Sequence, residues 1–86
     1  MKKYFSVYVK TDCPYCKRAV SFLEENNSPF IVIVIDKNLE FLEQIKQQTN
    51  HKTVPIVLRH DENGTMLIGG SDDLQNYLNS PEFKND

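Results

Sequence analysis

Two runs of strand-forming residues, 4–9 and 30–35, lie one helix's length apart, and that spacing constrains the fold more than any other feature. The first run, Tyr-Phe-Ser-Val-Tyr-Val, is aromatic and β-branched. The second is apolar without interruption up to Asp36, the pattern of a strand buried on both faces. Between them Ala19, Val20, Phe22 and Leu23 recur at helical spacing, and Pro14 suits the first turn of that helix. Asn26-Asn27-Ser28-Pro29 stops it, because asparagine tolerates a left-handed backbone and proline cannot continue a helix. Two strands joined in this way pair in parallel through a right-handed crossover.

The rest of the chain extends the pattern. Leu39, Leu42 and Ile45 through Thr49 predict a second helix, capped by Asp36 or Asn38, with Leu39, Phe41, Leu42 and Ile45 as core contacts. Residues 55–59 and 65–68 predict two more strands, joined at Asp61-Glu62-Asn63-Gly64, where Asn-Gly supplies positive φ. Gly69-Gly70 ends the fourth strand, and Ser71 or Asp72 is expected to cap a last helix containing Leu74, Tyr77 and Leu78. The polar tail after Pro81 is expected to fray. The order β-α-β-α-β-β-α describes an α/β, thioredoxin-like fold: a four-stranded mixed sheet flanked by three helices. With 86 residues, a single domain spanning 1–86 is expected.

Composition narrows the function. The longest apolar run holds six residues, far below the roughly 20 that cross a bilayer. Met1 to Ser6 carries positive charge but leads into no apolar signal region, so neither a membrane span nor export is expected. A net charge of −2 argues against general nucleic-acid binding. The charge is uneven, however. Residues 1–20 hold Lys2, Lys3, Lys10, Lys17 and Arg18 against Asp12 alone, which suggests a local anion site on an otherwise acidic domain.

Cys13 and Cys16 are the only cysteines. A bridge between them would close too short a loop to stabilise a fold much, so a redox or metal-binding role in a reducing compartment fits better, and a cytoplasmic location is expected. Cys13 falls at a helix N-cap, where free N–H groups and the helix dipole favour thiolate over thiol, and Lys10, Lys17 and Arg18 act in the same direction. Cys16, one turn later, is expected to be more buried. That asymmetry makes Cys13 the attacking sulfur and Cys16 the resolving one. Zinc is the weaker alternative: with His51 and His60 as the other ligands, the pair lacks finger spacing. Both histidines are expected at the surface, and no metal is expected.

Three separated segments, Lys10-Thr11-Asp12-Cys13-Pro14-Tyr15-Cys16, Thr53-Val54-Pro55 and Gly69-Gly70-Ser71-Asp72-Asp73-Leu74, together resemble a dithiol glutaredoxin over nearly the whole chain. The resemblance implies glutathione as partner thiol. It also implies a cis Pro55 with the Val54 backbone, next to Thr53, pairing with the cysteinyl backbone of glutathione. Ser71 and Asp72 would meet the γ-glutamyl group and Lys10 the glycyl carboxylate, with Gln47, Gln48 and Lys52 as further candidates. As a residue in its own right Lys10 reads more often as a solvated charge, Ser71 and Asp72 read also as helix caps, and Tyr15 reads equally as packing over substrate or against the sheet. The family often has glycine where His51 sits; here Asn50 is expected to take the left-handed position instead.

The function expected is a glutathione-dependent thiol–disulfide oxidoreductase, an enzyme reducing protein disulfides and glutathione mixed disulfides. Its partners would be glutathione, disulfide-containing or glutathionylated proteins and, indirectly, glutathione reductase with NADPH, and a monomer is expected. The alternative is a redoxin reduced by thioredoxin reductase. A metal or cluster carrier is the competing reading from outside the enzymes.

Overall fold

The computed structural model describes residues 3–36, 38–50 and 53–84. Its elements run β1 (Tyr4–Val9), α1 (Pro14–Glu25), β2 (Phe30–Val34), α2 (Leu39–Thr49), β3 (Ile56–Asp61), β4 (Gly64–Gly69), α3 (Ser71–Leu78) and α4 (Pro81–Lys84). The strands make one sheet in the order β2-β1-β3-β4. β1 pairs with β2 in parallel, and the other two pairings are antiparallel. Alternation along β1 divides its side chains between the faces. Phe5, Val7 and Val9 join Val57 of β3, Cys16, Ala19 and Leu23 of α1, and Leu74 and Leu78 of α3 in the main core. On the other face Tyr8 meets Phe41 of α2, ring centroids 6.0 Å apart, and α2 buries Leu42 and Ile45.

Several local expectations hold at the backbone. Asn27 and Asn50 adopt left-handed φ of 54° and 56° at the ends of α1 and α2. Asn38, rather than Asp36, caps α2, its Oδ1 accepting the Phe41 N–H at 3.0 Å.

Other expectations are corrected. The apolar run after Pro29 is the edge of the sheet, with Ile31, Val32 and Val34 exposed, Val34 at 60%. An unbroken apolar run reports strand propensity but not how many strands will flank it, and β3 takes the other side of β1. Leu39 is 71% exposed, because the Leu42–Ile45 stripe has run out of neighbours at the first residue of α2. Gly70, not Ser71 or Asp72, is the N-cap of α3. The hairpin loop shortens to Glu62 and Asn63, since Asp61 and Gly64 are already paired, and the positive φ belongs to Gly64 (133°). Pro55 precedes the third strand, which runs on to Asp61.

The tail forms a fourth helical turn. Ser80 Oγ accepts the Phe83 N–H at 3.4 Å, Pro81 opens the turn, and Phe83 packs edge-on against Tyr77. His60 is half-buried: its Nε2 lies 2.8 Å from the buried Ser6 Oγ, its Nδ1 3.0 Å from Thr65 Oγ1, and its ring stacks on Tyr4. These partners come from neighbouring strands and are invisible along the chain. His51 and Lys52 lie outside the described residues.

Candidate active site

Strand register alone gathers three segments at one end of the sheet. β1 ends at Val9; β3 begins there, with Ile56 opposite Tyr8; β4 ends there, with Gly69 opposite Val57. The segments after β1, before β3 and after β4 therefore share one end. They hold Lys10 to Cys16, Thr53-Val54-Pro55, and Gly70-Ser71-Asp72.

Cys13 is the N-cap of α1, with extended φ and ψ of −109° and 106°, and Pro14 opens the helix without leaving a backbone donor unpaired. Cys13 and Cys16 form a disulfide with Cα atoms 5.2 Å apart. The Cys16 N–H donates to Cys13 Sγ at 3.3 Å, so the cap side chain and the redox atom are the same sulfur. Access differs between the two: Cys16 is 3% exposed, whereas Cys13 is only partly covered.

The approach to Cys13 is tied down by a residue that sequence reasoning placed elsewhere. Asp36, just past β2, accepts the Thr11 N–H on Oδ2 at 3.1 Å, and Asp12 turns the chain with a positive φ of 57°. The available signal was the parallel pairing, which brings the end of β2 beside the end of β1. Lys10 and Lys17 are exposed, and neither forms an ion pair among the described residues.

On the β3 side, the Val54–Pro55 peptide is cis. Val54 is half-buried against the same core as Cys13, Pro55 is buried and Thr53 is exposed. At α3, Asp73 Oδ2 accepts the Gly70 N–H at 3.0 Å, leaving the next N–H groups of the first turn directed out of the helix end. Ser71 is buried there, and Asp72 is exposed. Arg18, whose contacts the sequence did not disclose, reaches across from α1. Its Nη2 lies 3.9 Å from Asp72 Oδ1, and its guanidinium sits 5.7 Å from the ring centroids of both Tyr15 and Phe22. Tyr15 is exposed beside it. Among the described residues, no group of three or more His, Cys, Asp or Glu side chains is placed to hold a metal ion.

The glutaredoxin family model matches residues 5–62. Over 85 aligned positions the chain is 34% identical to a probable glutaredoxin of Acanthamoeba polyphaga mimivirus, covering 86% of this chain and 76% of that one. It is 38% identical over 73 residues to glutaredoxin-1 of Gallus gallus, covering 81% of this chain and 68% of the relative. The fold is similar to that of a buckwheat glutaredoxin solved with glutathione, with a TM-score of 0.79 at 23% identity over 96% of this chain and 74% of that one. A cysteine pair at a helix start, one sulfur reachable and one covered, on a thioredoxin-like sheet, defines a thiol–disulfide oxidoreductase. The chain belongs to the glutaredoxin family.

Proposed function

We propose that this glutaredoxin-family protein uses glutathione as its reductant and reduces protein disulfides and glutathione mixed disulfides in the cytoplasm. The observation that carries the reading is the shared sheet end of Cys13, Val54 and the start of α3. A tripeptide thiol joined to Cys13 can there reach a backbone edge and a helix terminus together.

In this reading the Cys13 thiolate, favoured by its place at the helix start, attacks a substrate disulfide. A Cys13–substrate disulfide forms, the substrate's bond breaks, and the released thiolate takes up a proton. The Cys16 thiolate then attacks Cys13 Sγ, expelling the second substrate thiol and closing the Cys13–Cys16 bond. Glutathione thiolate attacks Cys13 Sγ and frees Cys16. A second glutathione attacks the glutathionyl sulfur, releasing Cys13 and glutathione disulfide, so two electrons pass from two glutathiones to one disulfide.

Val54 would offer its N–H and C=O to the cysteinyl backbone of glutathione. The first-turn N–H groups at Ser71 and Asp72 would take the γ-glutamyl carboxylate, and the Asp72 side chain its ammonium. Lys10 would meet the glycyl carboxylate, and Tyr15 would cover the bound peptide. A coupled assay with NADPH, glutathione reductase, glutathione and a glutathione mixed disulfide, run beside thioredoxin reductase, tests the reading. Turnover through glutathione supports it; turnover only through thioredoxin reductase overturns it.

A further inference from the structure

A cavity of about 430 Å³ opens against the Cys13–Cys16 pair on the side away from Val54. Strand order accounts for its position. β1 lies between β2 and β3, so the chain leading to Cys13 has Val54-Pro55 on one flank and a trough between α1 and β2 on the other. Val9, Val20 and Val32 line its apolar part, and Lys10 and Lys17 contribute its two charges. None of the residues assigned above to the γ-glutamyl or cysteinyl parts of glutathione lines it. Val32 is 44% exposed because β2 has no strand on its outer side.

We propose that this trough seats the protein substrate, taking an aliphatic side chain next to the cysteine under attack while Lys17 pairs with a carboxylate beyond it. The proposal rests on Cys13 as the attacking sulfur and specifies the substrate chemistry of that same site. For exchange to occur, the substrate sulfur must reach bonding distance of Cys13 Sγ, so the residues flanking it must pass over one of the two walls beside the disulfide. Glutathione's cysteinyl and γ-glutamyl recognition groups belong to the Val54 and Asp72 wall, while Lys10, assigned to its glycyl carboxylate, also lines the trough. The opposite wall is otherwise aliphatic, and its second cation, Lys17, has no ion-pair partner among the described residues, which selects an apolar residue accompanied by negative charge. The reaction is unchanged: Cys13 bonds the substrate sulfur, the substrate disulfide breaks, and the leaving thiolate is protonated.

The test uses disulfide-bridged model peptides that differ only beside the attacked cysteine: Val-Glu, Val-Lys and Gly-Lys. The protein is first reduced with dithiothreitol, and its single-turnover oxidation by each peptide is followed, so the readout does not depend on glutathione as reductant. The Val-Glu peptide is expected to react about ten-fold faster than the Gly-Lys peptide, the scale of a filled apolar pocket. Val32→Asp is expected to abolish that preference while leaving turnover of a small glutathione mixed disulfide unchanged. Lys17→Glu is expected to invert the Val-Glu to Val-Lys ratio by a few-fold, and a ratio cancels any effect on Cys13 reactivity. Equal rates for all peptides in the unaltered protein overturn the proposal, as does a Val32→Asp that slows the glutathione mixed disulfide equally. If Val32→Asp fails to fold, the Lys17→Glu ratio decides alone. Failure of glutathione as reductant, with peptide preference intact, would overturn the proposed function and not the trough.

Discussion

Asp73 Oδ2 accepts the backbone N–H of Gly70 at 3.0 Å, and the same carboxylate fills the space a side chain at Gly69 would need. One acidic residue thus closes the turn from β4 into α3 and sets the helix start that shares a sheet end with the disulfide. Gly69 has φ 121°, a conformation that side-chain-bearing residues rarely adopt. Gly69→Ala is therefore expected to cost about 1–3 kcal/mol, from an unfavourable backbone and a displaced carboxylate. Asp73→Ala should cost about 1 kcal/mol through loss of the cap contact. Urea unfolding midpoints check both; a neutral Gly69→Ala would mean that the turn relaxes freely.

The unequal exposure of the two sulfurs predicts unequal consequences. Cys13→Ser is expected to abolish reduction of protein disulfides and of glutathione mixed disulfides alike. Cys16→Ser is expected to retain mixed-disulfide turnover, because that reaction needs only the reachable sulfur, while losing dithiol reduction of proteins. Steady-state assays on the two substrate classes check the division. A folded Cys16→Ser protein inactive on both would refute it.

Asp72 is exposed and its partner Arg18 sits 3.9 Å away, a pair too solvated to hold the fold. Asp72→Asn is thus expected to leave the melting temperature unchanged while raising the KM for glutathione about three- to ten-fold, with little change in kcat. The effect should shrink as ionic strength rises, since exposed charges are screened. An unaltered KM would remove Asp72 from glutathione recognition.

Ser6 is buried with its hydroxyl 2.8 Å from His60 Nε2. His60→Ala leaves that hydroxyl without its imidazole partner and is expected to cost about 1–2 kcal/mol. Because the two groups meet, Ser6→Ala combined with His60→Ala should cost less than the sum of the single changes. A double-mutant cycle in urea measures the coupling, and strict additivity would show that the contact contributes nothing.

Leu39 and Leu42 share an apolar stripe but differ in burial, at 71% and 4% exposed. Leu42→Ala is expected to cost about 2–4 kcal/mol and Leu39→Ala under about 0.5 kcal/mol. Comparable losses at both positions would mean that α2 packs through its first turn as well.

The sequence by itself determined the order of the elements from β1 to α3, the start of α1 at Pro14 with Cys13 as its cap, the left-handed stops at Asn27 and Asn50, and the cysteine pair that forms the disulfide. Each depends on contacts within a few residues: proline's fixed φ, asparagine's tolerance of positive φ, and cysteines one helical turn apart. Tertiary structure decided which strand became the edge, so the apolar run after Pro29 is half open to solvent instead of enclosed. It also decided that Asp36 anchors the loop before Cys13, that Arg18 spans from Tyr15 to Asp72, and that His60 is held by Ser6 and Thr65. These contacts join residues brought together by strand pairing and helix packing. Hydrophobic periodicity says which face of an element is apolar, and only the assembled sheet supplies what lies opposite it.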